Sequence, residues 1–340
     1  MAPYSTSMRL PTAVLAVNTC GLALSFVALA LRFWARFIRR VKMRLCDYTI
    51  IASWLFTLGL IISENYCVTH GGIGQSVTTV TPDQLLFSAK QFIVIGVCGT
   101  LAVTLVKVSI LDFFLSIFST DSHFRTAAYI LMGITASYGV AFTTATLASC
   151  RPFEANWDKL SHPDYRCINT SRFYVAQAAI GAVLDCLVLL LPVPVVWSLA
   201  LKNSKKFSLT FLFTIGIFVC AISITRLVYN TQETWMLTHF TEYAGIAALL
   251  GGLEANLTIV CACLPSIPTL FSLFAEKIKS TLGSGTGGFK GLLSIFSFTS
   301  PRPTRGSIKL GSSPHRERNR SLTRNRRAPD STRDRADGIP

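Results

Sequence analysis

Residues 11–66 read PTAVLAVNTCGLALSFVALALRFWARFIRRVKMRLCDYTIIASWLFTLGLIISENY, and this stretch decides the fold. It holds two apolar runs, residues 11–31 and 48–66. A hydrocarbon core of about 30 Å needs roughly 20 apolar residues in a helix, so each run is long enough to cross a membrane. A segment rich in Arg and Lys separates the runs, and such segments stay on the cytosolic side. The stretch therefore predicts two membrane-spanning helices joined in the cytosol.

The rest of the chain repeats this pattern. Five further apolar stretches are long enough to span a bilayer: residues 92–118, 124–147, 173–200, 207–229 and 243–274. Charged residues make up only 14% of the chain, against roughly a quarter in soluble domains. The first stretch is too long for a cleaved signal peptide and only one basic residue, Arg9, precedes it. We predict an all-α membrane protein, a receptor-like seven-transmembrane helix bundle.

Basic clusters set the expected orientation of this bundle. Six residues mark the first connection as cytosolic: Arg32, Arg36, Arg39, Arg40, Lys42 and Arg44. The connections at residues 67–86 and 230–242 contain no Lys or Arg. We therefore expect three parts: a short extracytosolic amino-terminal segment (1–10), the membrane domain (11–274) and a cytosolic tail (275–340).

The tail is rich in Gly, Ser, Pro and Arg, which predicts disorder. It is either a solvated trafficking or lipid-contact segment, or one whose attraction to anionic lipid is tuned by phosphorylation near Arg320 and Ser321. The net charge of +15 is concentrated in the tail and the cytosolic connections. This distribution favours topology signals over nucleic-acid binding, so we expect a lipid bilayer and no nucleic acid as partner.

Three cysteines lie near the expected outer boundary, in an oxidising compartment: Cys67, Cys150 and Cys167. We expect a Cys150–Cys167 disulfide; the alternatives are free thiols or a bond to Cys67. Asn169 begins the pattern Asn-Thr-Ser of a glycosylation acceptor and is our candidate attachment site.

Ionisable residues at membrane depth are the candidate functional residues. Counting 1.5 Å per residue puts Asp185 and Glu254 near the middle of their spans, with Asn256 close by and Arg226 near an outer end. These four residues either form the polar floor of an outward ligand pocket or make interhelical bonds that hold the bundle together.

The sequence lacks the residue patterns of retinal-binding, metal-binding and hydrolytic sites. No Lys occurs in residues 243–274, so a retinal Schiff base in the seventh span is excluded. No zinc-binding spacing or Ser-His-Asp order appears, and we expect neither a metal nor a cofactor, and no catalytic residue. Pro192 and Pro194 must break the helix of span five, as a signalling hinge or as a static bend.

Over residues 31–271 the chain resembles the fungal rhodopsin-domain family of seven-helix integral membrane proteins. The resemblance rests on an ordered series of short motifs: Arg32 to Arg36 with Asp47, Gly72-Ile73-Gly74, Lys107-Val108-Ser109-Ile110-Leu111, Cys150-Arg151-Pro152, Trp157-Asp158, Cys167-Ile168, Asp185, Leu191-Pro192-Val193-Pro194, Arg226, Thr234-Trp235, Glu254-Ala255-Asn256 and Cys261-Ala262-Cys263-Leu264-Pro265. The resemblance implies a receptor-like protein with surface-sensing or secondary-metabolite roles.

The sequence leaves three hypotheses for the function of this protein. The leading hypothesis is a sensor, most naturally at the plasma membrane, in which an extracellular small molecule or surface cue selects one helix arrangement and a cytosolic signalling partner detects it. The second is a membrane enzyme or accessory protein of a fungal secondary-metabolite pathway, with Asp185 or Glu254 as general acid or base. A transporter ranks last, because we find no inverted repeat with paired broken helices.

Overall fold

The computed structural model describes residues 9–117, 122–158, 161–198, 203–232 and 238–264. Over these residues the chain forms seven long helices, which we number in chain order: α1 (Arg9–Arg39), α2 (Leu45–His70), α3 (Pro82–Ile117), α4 (Ser122–Leu147), α5 (Thr170–Leu190), α6 (Asn203–Asn230) and α7 (Phe240–Cys263). Each contains a segment long and apolar enough to cross a membrane. The predicted all-α seven-helix bundle is confirmed.

The bundle has two ends, which we name by their residues. The disulfide end carries the connection between α4 and α5, with Cys150 and Cys167. The basic end carries the connection between α1 and α2, residues 40–44. Which end faces the cytosol stays a prediction from the positive-inside rule.

Helix α1 extends about two turns beyond the predicted span, from residue 31 to Arg39. It includes Arg32 and Arg36, which we expected in the cytosolic connection, and it ends where Arg40 adopts a left-handed backbone with φ of 51°. Left-handed residues commonly terminate helices, and Arg itself is a good helix former. The basic character of this segment therefore does not stop the helix.

Helix α3 begins at Pro82, ten residues before the predicted span at residue 92. Its start has three favourable features for a helix amino terminus. Proline occupies the first position, Asp83 lies in the first turn, and Gln84 accepts a hydrogen bond at 2.9 Å from the backbone N–H of Thr81. Apolarity alone did not reveal this polar first turn.

Helix α5 ends at Leu190, and a separate six-residue helix follows at Val193–Ser198. Pro192 and Pro194 lack backbone N–H groups and disfavour helical geometry before them, so the predicted break in span five is present. The last predicted span, residues 243–274, is described only to Leu264. Its remainder and the predicted tail, residues 275–340, lie outside the described residues.

Helix α7 packs against four other helices, α1, α2, α3 and α6. Gly252 allows α1 to approach α7 closely, because a side chain at this position would run into Oδ1 of Asn18 on α1. Half of the apolar window of α7 is buried inside the bundle, the largest share among the seven helices. Polar side chains on α7 are therefore placed where several helices meet.

A small cap lies at the disulfide end. Two short strands, β1 (Cys150–Arg151) and β2 (Arg166–Cys167), pair antiparallel with Cys150 opposite Cys167. A second connection, residues 71–81, is tied to the start of α7 by a hydrogen bond of 2.8 Å from the N–H of Gly74 to the carbonyl of Thr241. The hydroxyl of Thr241 donates back to the carbonyl of Gln75 at 2.6 Å.

Candidate functional site

Asp185 on α5 is held by two neighbouring helices. Nζ of Lys107 on α3 lies 3.2 Å from its Oδ1, and both side chains are buried. The hydroxyl of Ser223 on α6 donates to Oδ2 at 2.9 Å. Lys107 also donates to the carbonyl of Gly181 at 3.2 Å, one turn before Asp185. Both charges therefore have the partners that burial in an apolar bundle demands.

Arg226 on α6 and Glu254 on α7 form a second ion pair. Nη1 of Arg226 lies 3.1 Å from Oε2 of Glu254; the arginine side chain is 22% exposed and the glutamate is buried. Nε of Arg226 has no hydrogen-bond partner among the described residues, and those residues give the Glu254 carboxylate no well-aligned hydrogen bond. This pair therefore retains unused hydrogen-bonding capacity, at the buried Nε of Arg226 and at the Glu254 carboxylate.

The two ion pairs are neighbours. A Cβ placed on Gly181 would lie 3.4 Å from the hydroxyl of Tyr138 on α4 and 3.8 Å from Nη2 of Arg226. That Tyr138 hydroxyl donates to the carbonyl of Gln177 at 3.2 Å. Helices α3 to α7 each contribute to this region, which we call the polar layer: Lys107, Tyr138, Asp185, Ser223, Arg226 and Glu254.

Aromatic side chains lie between the polar layer and the disulfide end. Tyr229 and Tyr243 stack with ring centroids 5.2 Å apart, one on α6 and one on α7. The hydroxyl of Tyr243 donates to Oδ1 of Asn230 at 2.9 Å. On α4, Phe142 packs against Tyr138 with centroids 4.8 Å apart. These rings therefore place apolar surface on the disulfide side of the polar layer.

Asn256 lies apart from the other three predicted residues. The hydroxyl of Ser25 on α1 donates to its Oδ1 at 2.8 Å, and its Nδ2 donates to the carbonyl of Gly252 at 2.9 Å. Two residues along a helix point to different faces, so Asn256 faces α1 while Glu254 faces α6. A shallow apolar groove runs past Asn256 between α1 and α7, lined by Val17, Cys20, Gly21, Leu24, Leu253, Leu257 and Val260.

A second ionic cluster lies at the basic end. Arg32 is buried; its Nη2 lies 3.2 Å from Oδ1 of Asp47, and its Nη1 donates to the carbonyl of Ala262 at 2.7 Å. Arg36 approaches Oδ2 of Asp47 to 2.7 Å. We name Arg32, Arg36, Asp47 and Ala262 the basic-end clasp, because it joins α1, α2 and α7.

Several of these residues were not among the sequence candidates. Lys107 carried a signal, since a charge within an apolar span usually finds a partner, and Arg32 was assigned only to topology. Ser223, Tyr138 and Asn18 carry no comparable signal, because hydroxyl and amide side chains are common in membrane helices. Among the described residues, no group of three or more His, Cys, Asp or Glu side chains is placed to hold a metal ion.

At the disulfide end, Cys150 and Cys167 are joined by a disulfide, while Cys67 is a buried free thiol. Asn169 is exposed and caps α5, with its Oδ1 accepting from the N–H of Arg172 at 3.1 Å. Its Nδ2, the atom to which a glycan would attach, is not needed for this cap.

A model of the fungal rhodopsin domain matches residues 31–273. "Receptor GIN3" of Arthrobotrys oligospora is 25% identical over 84% of this chain and 66% of its own length. A "SAT4 family membrane protein" of Emericella nidulans is 29% identical over 63% of the chain and 53% of its own length. "Fugralins biosynthesis cluster protein 2" of Gibberella zeae is 26% identical over 57% of the chain and 50% of its own length. The chain thus spans between half and two thirds of these relatives.

Proposed function

We propose that the chain, which belongs to the fungal rhodopsin domain family, is a receptor-like membrane protein that binds a small molecule at the polar layer. It is a multi-pass membrane protein whose helices lie in a lipid bilayer. A relative named as a receptor supports the sensor hypothesis.

The Arg226–Glu254 pair is the observation that carries this proposal. A buried carboxylate without well-aligned hydrogen bonds is costly, and the arginine beside it, whose side chain is partly exposed and whose Nε has no partner among the described residues, can still bind another polar group. A ligand with an apolar body and one polar or anionic group would bond Arg226 and bury its body against the aromatic rings. Most of a small ligand's site is expected to be apolar with a few fixed polar groups, and this region has that composition.

A route from this pair to the basic end follows from the helices. Glu254 and Ala262 lie on α7, eight residues and therefore about 12 Å apart along the helix axis. A ligand that favours one arrangement of α6 and α7 would also move the carbonyl to which Arg32 donates. A ligand biases such an equilibrium only through its different affinity for the two arrangements.

We propose that the protein lies in the plasma membrane with its disulfide end outside the cell. The basic end and the tail then face a cytosolic signalling partner. The cationic connection at residues 40–44 supports this orientation. In this orientation a ligand reaches the polar layer from outside the cell, and the basic-end clasp faces the cytosolic partner.

A thermal-shift screen tests the ligand proposal. Purified full-length protein in lipid nanodiscs is heated with a panel of apolar carboxylic acids and the matching alcohols. An acid that binds Arg226 should raise the unfolding temperature of the wild type and of Glu154→Gln, a variant of an exposed loop carboxylate. It should raise that of Arg226→Gln much less. An acid that stabilises Arg226→Gln as strongly as the wild type would show that the polar layer is not its site.

A role in a secondary-metabolite pathway is the second candidate. The names of four relatives, including fugralins biosynthesis cluster protein 2 and phomoidride biosynthesis cluster protein H, favour it. Glu254 would then act as acid or base on an apolar substrate, or the protein would assist another enzyme. Deleting the gene and profiling metabolites separates the two: an accumulated intermediate supports pathway work, whereas an unchanged profile with a lost cue response supports the sensor.

A further inference from the structure

Glu64 on α2 is a buried carboxyl that the proposed ligand site does not use. It is 2% exposed and lies six residues before the end of its helix. Its hydrogen bond is to a neutral group: Nδ2 of Asn18 on α1 donates to Oε2 at 2.9 Å. In the other three buried acids described here, Asp47, Asp185 and Glu254, the carboxylate meets an Arg or Lys within 3.2 Å.

The charges around Glu64 do not balance. Glu64 and the polar layer together contain three buried acids, Glu64, Asp185 and Glu254. They contain two bases, Lys107 and Arg226. If all five were ionised, the interior would carry one excess negative charge. An isolated charge in an apolar interior is so costly that the group is neutralised instead. Glu64 is the acid without a close basic partner.

The groups that face Glu64 support this assignment. Arg226 on α6 acts on it electrostatically but is paired with Glu254, and Cys67 is the titratable neighbour on its own helix. α1 presents Asn18 and α7 presents Gly251, neither of which titrates; a Cβ on Gly251 would lie 3.8 Å from Oε1 of Glu64. Among these described neighbours, no free cation remains to balance Glu64.

Asn18 provides an independent observation. It is fully buried, and its Oδ1 has no hydrogen-bond partner among the described residues. A buried acceptor left without a donor is destabilising. A carboxylic acid carries an O–H that a carboxylate lacks, so a neutral Glu64 presents a donor to the Asn18 side chain, whose oxygen has none.

We propose that Glu64 is a proton-binding site, held as the neutral carboxylic acid between Asn18 of α1 and Gly251 of α7. The proton comes from bulk water and returns to it when the bundle loosens. Ionisation of Glu64 adds one negative charge where α1, α2 and α7 meet, so it weakens the packing of these helices. This site is distinct from the ligand site of the polar layer, and its occupancy would respond to pH.

Infrared difference spectroscopy of the full-length protein in nanodiscs at neutral pH tests the proposal, because a protonated carboxyl has a carbonyl band that a carboxylate lacks. One such band should be present in the spectrum of the wild type and absent from that of Glu64→Gln. The band should shift in Asn18→Leu. Glu154→Gln, the exposed control, should leave it unchanged. The proposal is overturned if the band persists in Glu64→Gln, or disappears instead in Glu254→Gln.

Two further measurements use the same samples. Because the folded bundle holds the proton, raising the pH should lower the unfolding temperature of the wild type more than that of Glu64→Gln. Replacing potassium by sodium at constant ionic strength should leave the carboxyl band intact. A band that sodium abolishes would show that Glu64 binds a metal cation rather than a proton, and equal pH dependence in both proteins would also contradict the proposal.

Discussion

Lys107 on α3 and Asp185 on α5 form an ion pair across the bundle, with Nζ 3.2 Å from Oδ1 and both side chains buried. The two residues are 78 positions apart in the chain, on helices that no single connection joins. The ion pair therefore helps to fix the position of α3 relative to α5. Removing one partner should destabilise the folded protein more than removing both, because it leaves the other charge buried without a partner.

Lys107→Met should lower the free energy of unfolding by about 3–5 kcal/mol, because it leaves Asp185 buried without its cation. The double variant Lys107→Met with Asp185→Asn should recover most of this loss. Thermal unfolding of the purified protein in nanodiscs measures both. A single variant as stable as the wild type would mean that the pair does not hold α3 to α5.

Gly252→Ala should destabilise the bundle by about 1–3 kcal/mol, because the added methyl group would run into Oδ1 of Asn18 and push α1 from α7. Gly133→Ala is the matched control, since a Cβ there meets nothing within 4 Å and Ala is the better helix former. The control should be neutral or slightly stabilising. Equal effects of the two substitutions would contradict the described contact between α1 and α7.

Replacing Cys150 with Ser should lower stability by about 3 kcal/mol, the loop-closure value for a disulfide between residues 17 apart. Replacing Cys167, or both cysteines, should give the same loss, because each change removes the same bond. Cys67→Ser serves as a comparison that leaves the bond intact. If the double variant were much less stable than either single one, the two cysteines would not act as a pair.

Ser171→Ala should abolish glycosylation of Asn169 while leaving the Asn169 cap of α5 in place. We expect a glycosidase-sensitive shift in gel mobility for the wild type and none for the variant. This result would place the disulfide end in the secretory lumen and the basic end in the cytosol. A tag on residue 340 that is protected from protease in intact microsomes, where the cytosolic face is outside, would reverse this orientation.

The sequence predicted the number of helices because lipid imposes a minimum apolar length, and α7 meets that condition although it buries polar residues. It misplaced the start of α3, since the turn beginning at Pro82 is polar and apolarity does not mark it. The break after Leu190 was predictable, because proline chemistry is local.

The candidate site was predictable only in part. Asp185, Arg226 and Glu254 stand out because charges are rare in membrane helices, and the structure brings these three together. A spacing of two residues puts Glu254 and Asn256 on different faces of α7, but spacing along one chain does not reveal that one face meets α6 and the other α1. For the same reason, the pairing of Arg32 with Asp47 and Ala262 became visible only in the folded bundle.

We propose above that Glu254 and Arg226 form the part of the bundle that detects a ligand. The most direct measurement compares the cue response of cells carrying the wild type or Glu254→Gln, after both proteins are brought to equal amounts in the plasma membrane. Glu254→Gln should be present in the membrane but should require at least tenfold more cue, an energy difference of about 1.4 kcal/mol. An unchanged dose–response curve at equal expression would contradict it.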